Sequence, residues 1–143
     1  MLAWSFVDER MSKARQYWLT TTRPDGRPHA RPVDGVWAEG VLSFGGGPEI
    51  RWNRNLEANP AASVNLDRLD EVVILEGTVE RVTDPKHPLA EGVLRASKEK
   101  YPEYYPGKGT PPFRPFWLFH PEIAFAWTLK EFPKSATRFL LRD

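Results

Sequence analysis

The sequence contains no cysteine. That excludes disulfides, thiolate metal sites and a cysteine nucleophile, and it fits a reducing interior. A surplus of charge is missing too: 20 basic residues stand against 19 acidic ones, a formal net charge of +1. No block or stripe of Lys and Arg breaks that balance. A nucleic-acid footprint needs cations clustered on one face, so nucleic acid is not an expected partner. Long apolar runs are also absent. The longest aliphatic stretch is Val72-Val73-Ile74-Leu75, far short of the roughly 20 residues of a membrane helix. The N-terminal stretch carries Asp8, Glu9, Arg10, Lys13 and Arg15, which leaves no secretory apolar region. A soluble cytoplasmic protein is the expectation, with no membrane partner.

The familiar catalytic signatures are missing as well. There is no Gly-x-Ser-x-Gly elbow, no phosphate-binding Gly-Lys-Ser/Thr loop and no Gly-x-Gly-x-x-Gly fingerprint. The three histidines, His29, His87 and His120, are widely separated, show no metal-ligand spacing with a carboxylate, and read as surface or turn residues. Glu76 and Glu80 share a strand face, which reads as a solvated face. No metal ligand and no catalytic residue is nominated. If the protein is an enzyme, its reactive group is borrowed from a cofactor.

What is present is a dense pattern of short strands, which the 143 residues form as one domain over 1–143. Residues 5–16 read as a helix capped by Ser5, with Val7, Met11 and Ala14 at helical spacing. Tyr17–Arg23 and His29–Trp37 read as strands joined by the turn Pro24-Asp25-Gly26-Arg27-Pro28. Ala38-Glu39-Gly40 turns into a strand at Val41–Phe44. Ala62, Val64 and Leu66 alternate as a half-buried strand, and Glu71–Val82 is the longest one. Asp84-Pro85 signals a helix N-cap followed by proline, with a helix to about Lys100. Residues 101–113, with four prolines, two glycines and three tyrosines, read as an ordered loop or lid. Strand candidates at Arg114–Phe119, Ile123–Leu129 and Thr137–Leu141 close the chain. So many strands in hairpin order around so few helices predict a mainly β fold, a small antiparallel barrel with a few short helices.

Within that pattern one stretch carries chemistry. Gly45-Gly46-Gly47 follows the strand at Val41–Phe44 and precedes a helix over 51–59 that Asn59-Pro60 ends. A strand, a glycine turn and a helix start gather free backbone N–H groups and a partial positive charge. Arg51 and Arg54 add formal charges, which makes this an anion site suited to phosphate or carboxylate. The alternative is a tight turn with solvated arginines.

The chain resembles the pyridoxamine phosphate oxidase-like split β-barrel family, in particular its flavin- and deazaflavin-dependent branch. The carrying residues are Tyr17–Thr21 with Arg23–His29, Arg31-Pro32-Val33 with Gly35-Val36-Trp37, Arg51 with Arg54-Asn55-Leu56 and Asn59-Pro60, Val72–Glu80, and Phe125-Ala126-Trp127 with Phe132-Pro133 and Ala136–Phe139. The resemblance implies a homodimer with a cofactor in each groove between the chains. It implies that Arg31, Pro32, Val33, Asp34, Gly35 and Val36 offer strand backbone to the ring. Gly45, Gly46 and Arg51, with Asn55 on the same helix, hold the phosphate. Trp127 and Arg138 approach the ring from the C-terminal strands. Trp52 stands where many relatives carry a Lys, and is either a packed structural residue or a stacking face for a ring. The residues that grip pyridoxal phosphate in the oxidase branch are not recognisable.

The expectation that follows is a reductase that uses coenzyme F-420 to move a hydride to a small conjugated acceptor. The alternatives are an FMN-dependent oxidoreductase of the same fold, or a protein that holds a flavin- or haem-like ligand without turnover. Tyr101, Tyr104 and Tyr105 are either a lid over the acceptor or packing and turn residues.

Overall fold

The computed structural model describes residues 1–141. Its strands are β1 (Gln16–Thr22), β2 (Pro28–Asp34), β3 (Val36–Ala38), β4 (Val41–Phe44), β5 (Ala61–Asn65), β6 (Glu71–Val82), β7 (Phe116–Thr128) and β8 (Thr137–Leu140). They form one antiparallel sheet in the order β2-β1-β5-β6-β7-β4-β3, with β8 added to β7. The helices are α1 (Trp4–Lys13), α2 (Arg51–Ala58) and α3 (Ala90–Lys100). Among the described residues no helix is long and apolar enough to cross a membrane.

The sheet closes on itself through one stretch of chain. Residues 28–34 pair with β1, and after Gly35 residues 36–38 pair with β4, so a single crossing segment joins the two ends of the strand order. The predicted strand at 29–37 is therefore two strands with different partners. Gly35 permits the switch: a Cβ there would lie 2.9 Å from the Ser43 carbonyl oxygen and 3.0 Å from Leu42 Cδ1. Pro28 and Pro32 are tolerated because β2 is paired on one side only along its length, where a missing N–H leaves no ladder bond broken.

β6 and β7 form the long spine of the barrel. The sequence predicts a break around His120–Glu122, yet one strand runs through from Phe116 to Thr128. The register shifts between Glu76 and Gly77, where Gly77 faces Pro121 and Glu76 faces Ile123. Glu122 is thus the extra residue of a bulge, a second setting in which a strand accepts a proline without disrupting its ladder.

Leu19, Val64, Leu75 and Ala124 point inward and are fully buried. α1 closes one side of this core with Val7 and Met11, one turn apart, and α2 supplies Trp52 and Leu56. Ser5 does not cap α1; the cap position is Ala3, without a side-chain hydrogen bond. α3 starts at Ala90 rather than after Asp84. Asp84 instead accepts the Lys86 N–H at 2.9 Å in a local turn, and Pro88 keeps His87 out of helical geometry.

Candidate functional site

α2 begins directly after the glycine run, with Ile50 at its cap position and no side chain bonded to its first turn. Its leading N–H groups keep their partial positive charge, and Arg51 is its first residue. The β1–β2 hairpin brings further cations. Its register sets His29 opposite Thr21, on the inward face shared with Leu19 and Val33. His29 is 4 % exposed, so its reading as a surface residue is corrected: the hairpin register makes it an inward position. Arg23 donates to His29 Nδ1 from Nε at 3.3 Å and lies 3.1 Å away through Nη2. An accepting Nδ1 leaves the proton on Nε2 of a neutral ring. Burial first, then the guanidinium groups of Arg31, Arg23 and Arg51, hold the imidazole pKa below its ordinary value. Among the described residues none of these arginines forms an ion pair with a carboxylate. Cations without a carboxylate partner near an uncapped helix start are chemically suited to an anion.

The glycine run behaves differently from its reading as a sharp turn. None of Gly45, Gly46 and Gly47 has a positive φ. Gly45 is exposed and open. Gly46 is required by Trp52, whose Cζ2 would lie 2.7 Å from an added Cβ. The Trp52 ring is buried and tilted against Phe44 at 5.3 Å, so it takes the packed of its two roles. Asn55 lies in the interior, donating from Nδ2 to Thr21 Oγ1 at 3.0 Å. Its Oδ1 is buried without a partner.

The sequence model of the family described as pyridoxamine 5'-phosphate oxidase matches residues 5–128. The chain belongs to this family. No curated protein matches it. Among solved structures it is similar to an F420 reductase, with a TM-score of 0.62 and 23 % identity over 82 % of this chain and 94 % of that one. It is similar to General Stress Protein 26 of Bacillus anthracis, with a TM-score of 0.69 and 18 % identity over 96 % and 97 %. A pyridoxamine 5'-phosphate oxidase-related, FMN-binding protein of Nostoc punctiforme gives 0.63 and 15 % over 95 % and 91 %. At these identities the likenesses establish the fold, the split β-barrel of this flavin-binding family.

The family's predicted ring-facing segment is the crossing strand at 31–36. Arg31 and Pro32 are exposed, Val33 is in the core, and Asp34 accepts from Gln16 Nε2 at 2.9 Å. Gly35 is clamped from the far side by Lys100, which no sequence signal marks, and by Tyr101. Lys100 Nζ donates to the Gly35 carbonyl at 2.7 Å and to Tyr17 Oη at 3.0 Å. Tyr101 Oη accepts the Gly35 N–H at 3.0 Å while donating to the Arg15 carbonyl. Tyr101 is 3 % exposed, so it anchors the strand and is not part of a lid; Tyr104 is exposed.

Burial, then Arg15, lowers the Lys100 pKa from 10.5 to about 8. Between those values the unfolded chain holds a proton that the folded chain has released, so stability rises with pH. Below about pH 8 both states are charged, and the cost of burying the ammonium is fully present. Tyr17, raised above 10.0 by burial and then by Tyr101, opposes this only once its unfolded phenol ionises. The urea midpoint is expected to be higher at about pH 9.5 than at about pH 7. Lys100→Met should remove that rise, and a flat profile in the unmodified protein would refute the assignment.

Trp127 and Arg138 are not brought to this segment. Both lie on β7 and β8, which pair with neither β2 nor β3. Arg138 is exposed opposite Phe125, and Trp127 is tilted against Phe132 with centroids 5.9 Å apart. Within one chain the predicted site is therefore in two parts.

Proposed function

We propose that this chain is a cytoplasmic, single-domain, homodimeric reductase that uses coenzyme F-420 to pass a hydride to a small conjugated acceptor. The observation that carries the reading is the corner of Arg23, Arg31 and Arg51 around a neutral His29, cations with no carboxylate partner beside the uncapped α2. An anionic cofactor phosphate completes that charge set. The family supports a flavin-type ligand, and the F420 reductase is one of its structural likenesses. The second reading, FMN in the same groove, is favoured by the likeness to the Nostoc FMN-binding protein.

When bound, the deazaflavin ring supplies the hydride. The chain's own part is to bind, orient and exclude water, which is sufficient for hydride transfer. Arg23, Arg31, Arg51 and the α2 N–H groups, with Gly45 and Gly46 beside them, hold the phosphate. The backbone from Arg31 to Val36 orients the ring, kept in place by the Lys100 and Tyr101 bonds to Gly35. Trp127 and Arg138 reach the ring from the second copy, which accounts for their separation from β2 within one chain. The outer sheet face supports such a copy. Trp18, 39 % exposed, lies in a cross-strand row with Asn65, Ile74, Phe125 and Arg138, and Leu140 beside Ile123 is 69 % exposed. Apolar faces of this kind mark interfaces.

The test is a tryptophan-quenching titration of the protein with F-420 and, separately, with FMN. Tight binding of F-420 alone is expected. Tight binding of FMN alone would replace the deazaflavin by flavin, and binding of neither would overturn both readings.

A further inference from the structure

A cavity of about 280 Å³ lies between α3 and the β3–β4 hairpin. Its walls are Val36, Val41, Leu89 and Val93, with the small Ala38 and Ala96 between them. It is on the other face of the crossing segment from the arginine corner: His29, Val33 and Trp37 are buried on the inner face, whereas Val36 and Ala38 line the space under α3. The volume is near the lower end of small-molecule sites.

Two residues facing this cavity are the locally worse choice for their backbone. Gly92 lies inside α3, has no positive φ, and an added Cβ would meet nothing within 4 Å. Alanine would favour the helix by up to about 1 kcal/mol, so what the glycine preserves is open space. Glu39 sits at φ +53° and is followed by Gly40 at +77°. That two-residue turn favours Asn or Gly in the first place. Among the described residues the Glu39 carboxylate has no ion-pair partner, and it is the charged group among the lining residues. The other polar lining group, the Ser43 hydroxyl, is turned to the Val36 carbonyl at 3.3 Å. Residues that break a local rule concentrate where function requires them.

We propose that this cavity is a second binding site, for a compact, mainly apolar molecule with one amine end directed at Glu39. Apolar walls take the body of the ligand, and an unpartnered carboxylate on a turn held by the hairpin takes its cation. The inference does not depend on the cofactor reading, because no residue of the arginine corner takes part.

The experiment is a two-dimensional amide NMR titration of the full chain with 2-phenylethylamine, with 2-phenylethanol and 3-phenylpropionate as neutral and anionic counterparts. Saturable shifts confined to residues 36–43 and 88–96 are expected. The amine should bind about tenfold more tightly than the alcohol, the worth of one charge-assisted bond, and the carboxylate more weakly than either. Glu39→Asn should abolish the amine preference while raising Tm. Gly92→Leu should abolish the shifts for all three probes, and Gly92→Ala, which keeps the helix, should weaken them while also raising Tm. F-420 and FMN titrations should be unchanged in these variants. Absence of shifts in the two segments, equal affinity for amine and alcohol, or binding that survives both Glu39→Asn and Gly92→Leu would overturn the proposal.

Discussion

Replacing Arg51 by alanine is expected to weaken binding of the phosphorylated cofactor by about ten- to a hundredfold, the loss of one charge-assisted contact of about 1.5–3 kcal/mol. The substitution is gentle on the fold. Arg51 is the first residue of α2, half-buried, and alanine is a good helix former there. Arg54→Ala is the control: Arg54 is exposed and is not among the groups acting on His29, so the affinity should stay within about twofold. A second readout needs no cofactor. Arg51 is one of the cations holding the His29 pKa down, so its removal should raise the imidazole pKa in an NMR titration. Unchanged cofactor affinity would sink the phosphate assignment, and an unmoved His29 pKa would sink the geometry of the corner itself.

Gly77→Ala is expected to be among the most damaging single methyl additions. An added Cβ would lie 2.1 Å from the His120 carbonyl oxygen and 2.9 Å from Pro121 Cα. Both are backbone atoms, and both are held by the β6–β7 ladder that runs from Glu71–Thr128 to Val82–Phe116. Nothing flexible can give way. Either the bulge opens or the two strands part, at a cost of about 3 kcal/mol or more, a fall in Tm of about 10 °C. Gly26→Ala is the comparison. That glycine has φ +88° but open space around it, so only the left-handed backbone resists, at about 1–2 kcal/mol. Equal destabilisation by the two substitutions would show that the bulge is not sterically locked.

The fold was legible in the sequence to a large degree because its elements announce themselves locally. β4 and β6 have the predicted bounds, and α2 ends one residue early. The failures share a cause, which is that a local signal lost to pairing elsewhere. Residues 120–122 read as a gap between two strands, yet Gly77 across the ladder lets the chain bulge and continue. Asp84-Pro85 reads as a helix start, yet Pro88 delays the helix to Ala90.

The site was legible in part for the same reason. Arg51 stands at a helix start that the glycine run and the change of period mark. Arg31 was nominated for its backbone, while its guanidinium also acts on His29. Arg23 and His29 were missed, although the turn at 24–28 fixes the hairpin register, and His29 and Val33 share the parity of a buried face. Tyr101 was read as lid or packing residue without a partner, and Lys100 had no signal, since both reach Gly35 from more than sixty residues away.

By itself the sequence determined the class of fold, the absence of thiol chemistry, and the position of one helix start behind a glycine run. These depend on composition and on periodicities of a few residues, which neighbours in the chain impose. Only the tertiary structure decided that Arg23 bonds a buried His29, that Gly35 is clamped by Lys100 and Tyr101, and that Trp127 and Arg138 lie on strands that do not pair with β2. Those facts depend on register and barrel closure, where contacts between distant segments select among strand pairings that the local pattern leaves equally open.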